Sequence, residues 1–151
     1  MEAASPVLYR PYRDADVDQV ARVWLDSWRS TGISASNHVS EASNRERIIR
    51  EIASGWRVTV AAHANSIVAF LAIKPTEKVL DQLFVTPSFQ VIGIGLALLQ
   101  TAKEQMPDGF WLRTAADNHA ARRFYESHGL AFDRLEAHPV LGHQTAIYIW
   151  R

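Results

Sequence analysis

The stretch from Val85 to Leu99, VTPSFQVIGIGLALL, most constrains how this chain can fold. It begins as the end of an apolar strand, turns at Pro87 and Ser88, and passes two glycines before an apolar run. A strand that enters a helix through a glycine-bearing turn leaves several backbone N–H groups unpartnered at the helix start. Those donors and the positive end of the helix dipole form an anion site, which glycine lets a phosphate approach closely. The stretch therefore predicts an anion-binding turn.

Other glycine motifs fit this turn poorly. The dinucleotide fingerprint needs a third glycine, but Gly95 is followed by Leu-Ala-Leu. The phosphate loop of nucleotide hydrolases needs a Gly-Lys-Ser/Thr ending, which is absent. A nucleotide-binding domain is therefore a weaker reading, and a turn that binds nothing stays open as an alternative.

Composition narrows the class of protein. A chain of 151 residues, 48% hydrophobic and 21% charged, is typical of a single globular domain, here residues 1–151. The formal net charge of zero argues against a nucleic-acid partner. No cysteine is present, which excludes thiolate nucleophiles and disulfides. No apolar run has the length of a signal peptide or a membrane span, so we expect a cytoplasmic protein with no membrane partner.

The hydrophobic pattern predicts a mixed α/β fold in which helices flank a central sheet. The predicted order is one strand, two helices, three strands, a helix, a strand, a helix and two strands. Because a helix connects them, the strands at 79–85 and 110–114 should lie parallel. The predicted strands are 7–12, 56–63, 66–73, 79–85, 110–114, 130–135 and 145–150, and the last three helices are 40–54, 93–105 and 118–129.

The first two helices carry apolar residues at helical spacing. In the first, Trp24 is expected in the core, whereas Trp28 near the helix end can pack in the core or line a cleft. In the second, Ile48, Ile49 and Ile52 are expected to face inward. Residues 30–40, which are small and polar, are expected to form a loop between the two helices.

Two separate stretches resemble one family. Gln90-Val91-Ile92-Gly93-Ile94-Gly95 resembles the acyl-CoA-binding motif Gln/Arg-x-x-Gly-x-Gly/Ala of the GNAT superfamily of N-acetyltransferases, and residues 118–130, NHAARRFYESHGL, resemble its Asn-x-x-Ala-x-x-Phe-Tyr-Glu segment. Both motifs lie within residues 79–130, in the family's order. The resemblance implies a mostly antiparallel sheet with a splayed parallel strand pair, and direct transfer of an acetyl group from acetyl-CoA to an amine.

The resemblance also implies where acetyl-CoA binds. Phosphates would meet the glycine turn, and the backbone of the strand before it would hold the pantetheine arm and polarise the acetyl carbonyl. Two departures weaken the charge at this turn, since Val91 and Ile92 replace a glycine and a basic residue of the family pattern. The implied cofactor-binding residues are Leu83, Phe84, Val85, Gln90, Val91, Ile92, Gly93, Ile94, Gly95, Leu96, Asn118 and Phe124.

Two side chains are candidates for proton transfer. Tyr125 matches the tyrosine of the family's Phe-Tyr-Glu segment, which implies that it protonates the departing CoA thiolate; a packing role is the alternative. Asp81 is the only carboxylate in the strand that leads to the turn, so it is the candidate base. Strand alternation places it on the face of Leu83 and Val85, and a structural ion pair is the alternative.

The acceptor is the least constrained part of the prediction. A primary amine of a small molecule or of a peptide fits the implied chemistry, and Trp28 and Arg29 are the candidate substrate-binding residues. His138 and His143 fall in a loop and are expected at the surface, and the histidines form no metal-binding pattern. We therefore expect no metal. The protein is expected to be a monomer or a homodimer. A non-catalytic acyl-CoA sensor is the alternative function.

Overall fold

The structure is a computed structural model that describes residues 6–33, 39–90 and 92–151. Its elements follow the predicted order. The strands are β1 (Val7–Pro11), β2 (Arg57–His63), β3 (Ser66–Lys74), β4 (Val79–Val85), β5 (Phe110–Ala115), β6 (Ala131–Ala137) and β7 (Gln144–Trp150). The helices are α1 (Val17–Ser30), α2 (Glu41–Ala53), α3 (Ile94–Gln105) and α4 (His119–Ser127). Of the predicted loop at 30–40, residues 34–38 lie outside the described residues.

The strands form one sheet of order β1-β2-β3-β4-β5-β7-β6. Every neighbouring pair is antiparallel except β4 and β5, which are parallel. These two strands meet in register only at Val79 and Trp111, where the Trp111 N–H donates to the Lys78 carbonyl at 2.9 Å. Past that point they separate. The mostly antiparallel sheet with a splayed parallel pair is thus confirmed.

Helices cover both faces of the sheet and bury two cores. Alternating residues of β3 point to opposite sides, so that Leu71 and Ile73 enter one core while Phe70 and Ala72 enter the other. The α3–α4 core includes Leu71, Leu98, Leu99, Leu112, Tyr125 and Tyr148. The α1–α2 core includes Val20, Trp24, Ile48, Trp56, Phe70 and Ala72. No helix in the described ranges is long and apolar enough to cross a membrane.

One prediction for α2 is wrong. Ile48 is fully buried and Ile52 packs against the α1–α2 core, but Ile49 is 49% exposed. Successive residues of an α-helix are rotated by about 100° around its axis. Residues 48 and 52 therefore lie on the same face, and residue 49 does not. The inward face of α2 is therefore narrower than three consecutive apolar positions suggest.

Candidate active site

The gap between β4 and β5 is the centre of the candidate site. Beyond Val79, β4 keeps its hydrogen-bonded partner β3 on one side but has no paired residue of β5 on the other. Backbone donors and acceptors of a strand point alternately to its two edges. The free edge of β4 therefore offers unpaired backbone groups to a ligand that enters the gap.

The glycine turn lies at the end of β4 and starts α3. Gly93 is the N-cap residue and has a φ of +89°, a left-handed conformation that favours glycine. The first hydrogen bond within α3 joins the Ala97 N–H to the Gly93 carbonyl at 3.0 Å. The N–H groups of residues 94–96, which include predicted ligands Ile94, Gly95 and Leu96, therefore have no partner within the helix. Ile92 is 61% exposed, and Val91 lies outside the described residues.

The carbonyl of Val85 fixes how the turn leaves the strand. It accepts one hydrogen bond from the Ser27 hydroxyl of α1 at 2.9 Å and another from Nε2 of Gln90 at 3.0 Å. The Gln90 side chain thus closes the turn on β4. Two side chains anchor the end of β4 beside the gap.

Helix α4 packs against the start of α3. A Cβ added at Gly95 would lie 3.6 Å from Cζ of Phe124 and 3.8 Å from Cγ2 of Val85, which puts these three residues in one contact region. Asn118 is the N-cap of α4, and its Oδ1 accepts the Ala121 N–H at 3.2 Å. The predicted cofactor residues Phe124, Gly95 and Val85 therefore lie together where α4 meets the gap.

Tyr125 is buried, with 7% of its surface exposed, and belongs to the α3–α4 core. Its hydroxyl forms no hydrogen bond with any described residue. Burial raises the pKa of Tyr125 well above its usual value. The phenol therefore keeps its proton at neutral pH and has a donor available for a ligand.

Tyr148 lies beside Tyr125, with ring centroids 6.2 Å apart, but its hydroxyl is engaged. It accepts a hydrogen bond from Nε of Arg122 at 3.0 Å and donates one to Oε2 of Glu126 at 2.9 Å. This network ties α4 to β7. Of the two neighbouring tyrosines, only Tyr125 has an unpartnered hydroxyl.

Asp81 lies at a β-bulge in β4. The pairing of β3 with β4 steps from Ala72–Gln82 to Ile73–Leu80, so Asp81 has no opposite residue. Its Oδ2 accepts a hydrogen bond from Nε1 of Trp56 at 2.7 Å. Trp56 belongs to the α1–α2 core.

The predicted face of Asp81 is therefore wrong. Leu83 and Val85 pack against the α3–α4 core, on the side opposite to Trp56, and Phe84 packs against the α1–α2 core. The extra residue of a bulge reverses the alternation on one side of it. Asp81 thus faces the side of the sheet that carries α1 and α2, whereas the glycine turn continues into α3.

The loop between β6 and β7 reaches the end of α1. The rings of His138 and His143 stack with centroids 5.0 Å apart and planes 14° apart, and His143 lies 6.1 Å from the Trp28 ring. Trp28 also packs against the α1–α2 core, which is one of its two predicted alternatives, and a role in lining a cleft stays a prediction. Arg29 is exposed and donates from Nη2 to the Val39 carbonyl at 3.1 Å, at the other end of the loop between α1 and α2.

The expectation that His138 and His143 are surface residues is wrong, because both are half-buried. Burial lowers the pKa of each, so both imidazoles are neutral at physiological pH. Nδ1 of His143 is buried without a hydrogen-bond partner in the described part of the chain. Sequence reasoning missed these rings because nothing local in a loop sequence indicates that two of its side chains stack.

Within the described ranges, no three His, Cys, Asp or Glu side chains come together to hold a metal ion. The site presents a phenol, a carboxylate, imidazoles and backbone N–H donors.

Comparison with known proteins identifies the family. The sequence model of the Acetyltransferase (GNAT) family matches residues 18–130, which include both motifs. The chain belongs to the GNAT acetyltransferase family. No curated protein sequence matches it significantly.

Solved structures share the fold along nearly the whole chain. A GCN5-related N-acetyltransferase from Rhodopseudomonas palustris superposes with a TM-score of 0.79 at 17% identity, covering 99% of this chain and 98% of that one. The PaiA N-acetyltransferase of Thermoplasma acidophilum, solved with coenzyme A, gives 0.73 at 18% identity, covering 94% and 98%. The ribosomal-protein-alanine N-acetyltransferase of Brucella melitensis gives 0.73 at 16% identity, again covering 94% and 98%.

Proposed function

We propose that the protein transfers an acetyl group from acetyl-CoA directly to a primary amine of a small molecule or a peptide. The observation that carries the proposal is the parting of β4 and β5 beside a helix start with free N–H groups. Family membership supports acyl-CoA chemistry, and the coenzyme A complex of the Thermoplasma relative supports CoA as the carrier.

Acetyl-CoA would bind along the free edge of β4. Its pyrophosphate would accept hydrogen bonds from the backbone N–H groups of residues 94–96, where the α3 dipole adds favourable charge. Its pantetheine arm would pair with the unpaired backbone of Leu83, Phe84 and Val85. Asn118 and Phe124 would border the arm from α4, and the acetyl oxygen would meet a β4 N–H, which polarises the carbonyl.

The transfer needs one proton acceptor and one proton donor. The amine nitrogen attacks the acetyl carbon, the C–S bond breaks, and the sulfur takes a proton from the Tyr125 hydroxyl. Asp81 takes the proton that the amine loses, directly or through water. The proton that Asp81 then releases to solvent balances the one that the Tyr125 phenolate takes back.

The two proposed roles suit the surroundings of each group. Tyr125 holds its proton because it is buried, and its hydroxyl has no protein partner among the described residues. Asp81 is oriented by Trp56 and faces the opposite side of the sheet from the turn. An amine that approaches from the α1–α2 side would therefore meet acetyl-CoA that approaches from the α3–α4 side.

The test is a CoA-release assay on a panel of primary amines, run beside a calorimetric titration with acetyl-CoA. Release that depends on an amine and exceeds the hydrolysis background supports the transferase. Tight acetyl-CoA binding without release for any amine contradicts it and supports the sensor. Failure to bind acetyl-CoA contradicts both.

A further inference from the structure

Two arginines on the α1–α2 side of the sheet lie next to aromatic rings. Arg113 extends from β5 with its Cζ 5.3 Å from the Trp111 ring centroid. Arg47 extends from α2 over Trp24, 5.2 Å from the centroid, and over Trp56, 6.0 Å away. Both arginines are half-buried.

Neither arginine forms an ion pair with any carboxylate of the described ranges, although six such pairs occur there. Charged side chains that are withdrawn from water are normally paired. A guanidinium held against an aromatic ring keeps its planar fork free for an anion. Arg113 and Arg47 are therefore available to an anionic ligand.

Both arginines lie in the region bordered by Asp81 and by the histidine loop, the loop between β6 and β7 that carries His138 and His143. Phe110 and Leu112 enter the α3–α4 core, so the alternate residue Arg113 points to the opposite face. Arg47 covers Trp56, whose indole holds Asp81.

His138 of the histidine loop lies close enough to Arg113, Arg47 and Asp81 for their charges to affect its pKa. Burial, then His143, then the charges of Arg113 and Arg47 lower the pKa of His138, while Asp81 raises it. All these charges therefore act on one imidazole.

The His138 ring is fixed in one tautomer. Its Nδ1 accepts the N–H groups of Val140 at 3.1 Å and Leu141 at 2.9 Å, so in the neutral ring Nε2 carries the proton. The neighbouring His143 has a buried Nδ1 with no partner. A buried polar atom without a partner is costly, and a bound ligand can supply the missing hydrogen bond.

We infer that the acceptor is a small amine that also carries an anionic group, a carboxylate or a phosphate, held by Arg113 and Arg47 with its amine toward Asp81. This inference rests on the proposed function and narrows its substrate class. The charges that act on His138 are the two guanidinium groups and the Asp81 carboxylate, whereas Asp117 acts on the neighbouring His143. A ligand with one cationic and one anionic end can place its anionic group at the two guanidinium groups and its cationic group at the Asp81 carboxylate.

The test compares matched amines that differ only in the anionic group. Calorimetry measures the affinity of 4-(aminomethyl)benzoate against benzylamine, and of O-phosphoethanolamine against ethanolamine, for the CoA-bound protein. We expect the anionic member of at least one pair to bind about tenfold tighter or more, as for a charge-assisted hydrogen bond. The pair that shows the preference distinguishes carboxylate from phosphate. No preference in either pair overturns the inference.

Substitutions locate the preference. Arg113→Gln and Arg47→Gln should each remove most of it, and Arg113→Lys should keep part of it by keeping the charge. Arg134→Gln is the matched control, because Arg134 is exposed on β6 and pairs with Asp133 and Glu136. A preference that survives both glutamine variants overturns the inference.

The outcome is separable from that of the proposed function. Selective binding of the anionic amines without CoA release would contradict the transferase and leave the anion site in place. Acetylation of benzylamine and ethanolamine as efficient as that of their anionic partners would support the transferase and overturn the anion site.

Discussion

Nε1 of Trp56 lies 2.7 Å from Oδ2 of Asp81 and donates a hydrogen bond to it. Trp56 directly precedes β2, and Asp81 is the bulged residue of β4. The hydrogen bond holds the carboxylate on the side of the sheet that α1 and α2 cover. The other carboxylate oxygen accepts no hydrogen bond from the described residues. Asp81 is thus oriented through one oxygen while the other stays available to a substrate proton.

Asp81→Asn should lower turnover, with the largest effect at low pH, where fewer amine molecules are already neutral. A base in this position typically contributes about 10²–10⁴-fold. The pH–rate profile with acetyl-CoA and a responsive amine measures the effect, and acetyl-CoA affinity should stay unchanged. Asp108→Asn, at an exposed turn before β5, is the control. A wild-type profile for Asp81→Asn would exclude the role.

Gly93→Val should abolish or strongly weaken acetyl-CoA binding. An added Cβ meets no atom within 4 Å in the protein, so its bulk would enter the space that the phosphates need, while the φ of +89° adds strain. Gly32→Val is the strain-matched control, since Gly32 has a φ of +71° and equally open surroundings. Calorimetric affinity together with a melting curve separates the two effects. Unchanged affinity in a folded Gly93→Val protein would contradict the phosphate site.

Tyr125→Phe should lower turnover by about a hundredfold if proton transfer limits the rate, with little change in stability or acetyl-CoA affinity. The reason is that the lost hydroxyl has no partner among the described residues. Tyr148→Phe is the contrasting variant, because it loses bonds to Arg122 and Glu126. It should lower the melting temperature and leave the proton-transfer step in place. Full turnover of Tyr125→Phe would assign that residue to packing.

Local patterns predicted most of the fold. Apolar alternation, helical spacing and turn residues gave the order of elements, and a helix between two strands predicted that β4 and β5 are parallel. The wrong predictions for Asp81, His138 and His143 concern side chains whose position depends on residues outside their own local sequence. The bulge at Asp81 follows from the register with β3, and the burial of His138 and His143 follows from backbone bonds that fold their loop. Ile49 illustrates a different limit, because an apolar residue at the edge of a helix face can stay exposed.

The candidate site was predictable only in part. The motif residues Gly93, Gly95 and Phe124 could be located because their spacing resembles a known pattern. Trp56 carried no such signal, since its contact with Asp81 joins two elements far apart in sequence. Arg113 contacts Trp111 of its own strand, but this spacing alone indicates no ligand site. The side of the sheet that would receive the acceptor therefore emerged from the structure.

Asp16→Asn should destabilise the fold at neutral pH by about 1–2 kcal/mol, because Asp16 is buried and pairs at 2.8 Å with Arg10, whose side chain stays partly exposed. The hydrogen bond from Arg10 holds the pKa of Asp16 below its usual range. Because the pKa of Asp16 is lower in the folded than in the unfolded protein, its ionised carboxylate stabilises the fold at pH values above the unfolded-state pKa of about 3.9. This contribution disappears as the pH falls through the folded-state pKa.

Urea unfolding from pH 7 to pH 3 measures this difference between wild type and Asp16→Asn, which should shrink below about pH 4. Asp18→Asn is the control, since Asp18 forms an exposed pair with Arg45 and should change stability by less than about 0.5 kcal/mol. A pH-independent difference would contradict the assigned ion pair.

The structure of the acetyl-CoA complex tests the central claim most directly. The measured quantity is the distance from the Tyr125 hydroxyl oxygen to the thioester sulfur. We predict that the pantetheine arm lies between β4 and β5, that the pyrophosphate contacts the N–H groups of residues 94–96, and that the sulfur lies within about 4 Å of the hydroxyl. Acetyl-CoA bound outside this gap, or a sulfur more than about 6 Å from Tyr125, beyond any hydrogen bond, would contradict the account.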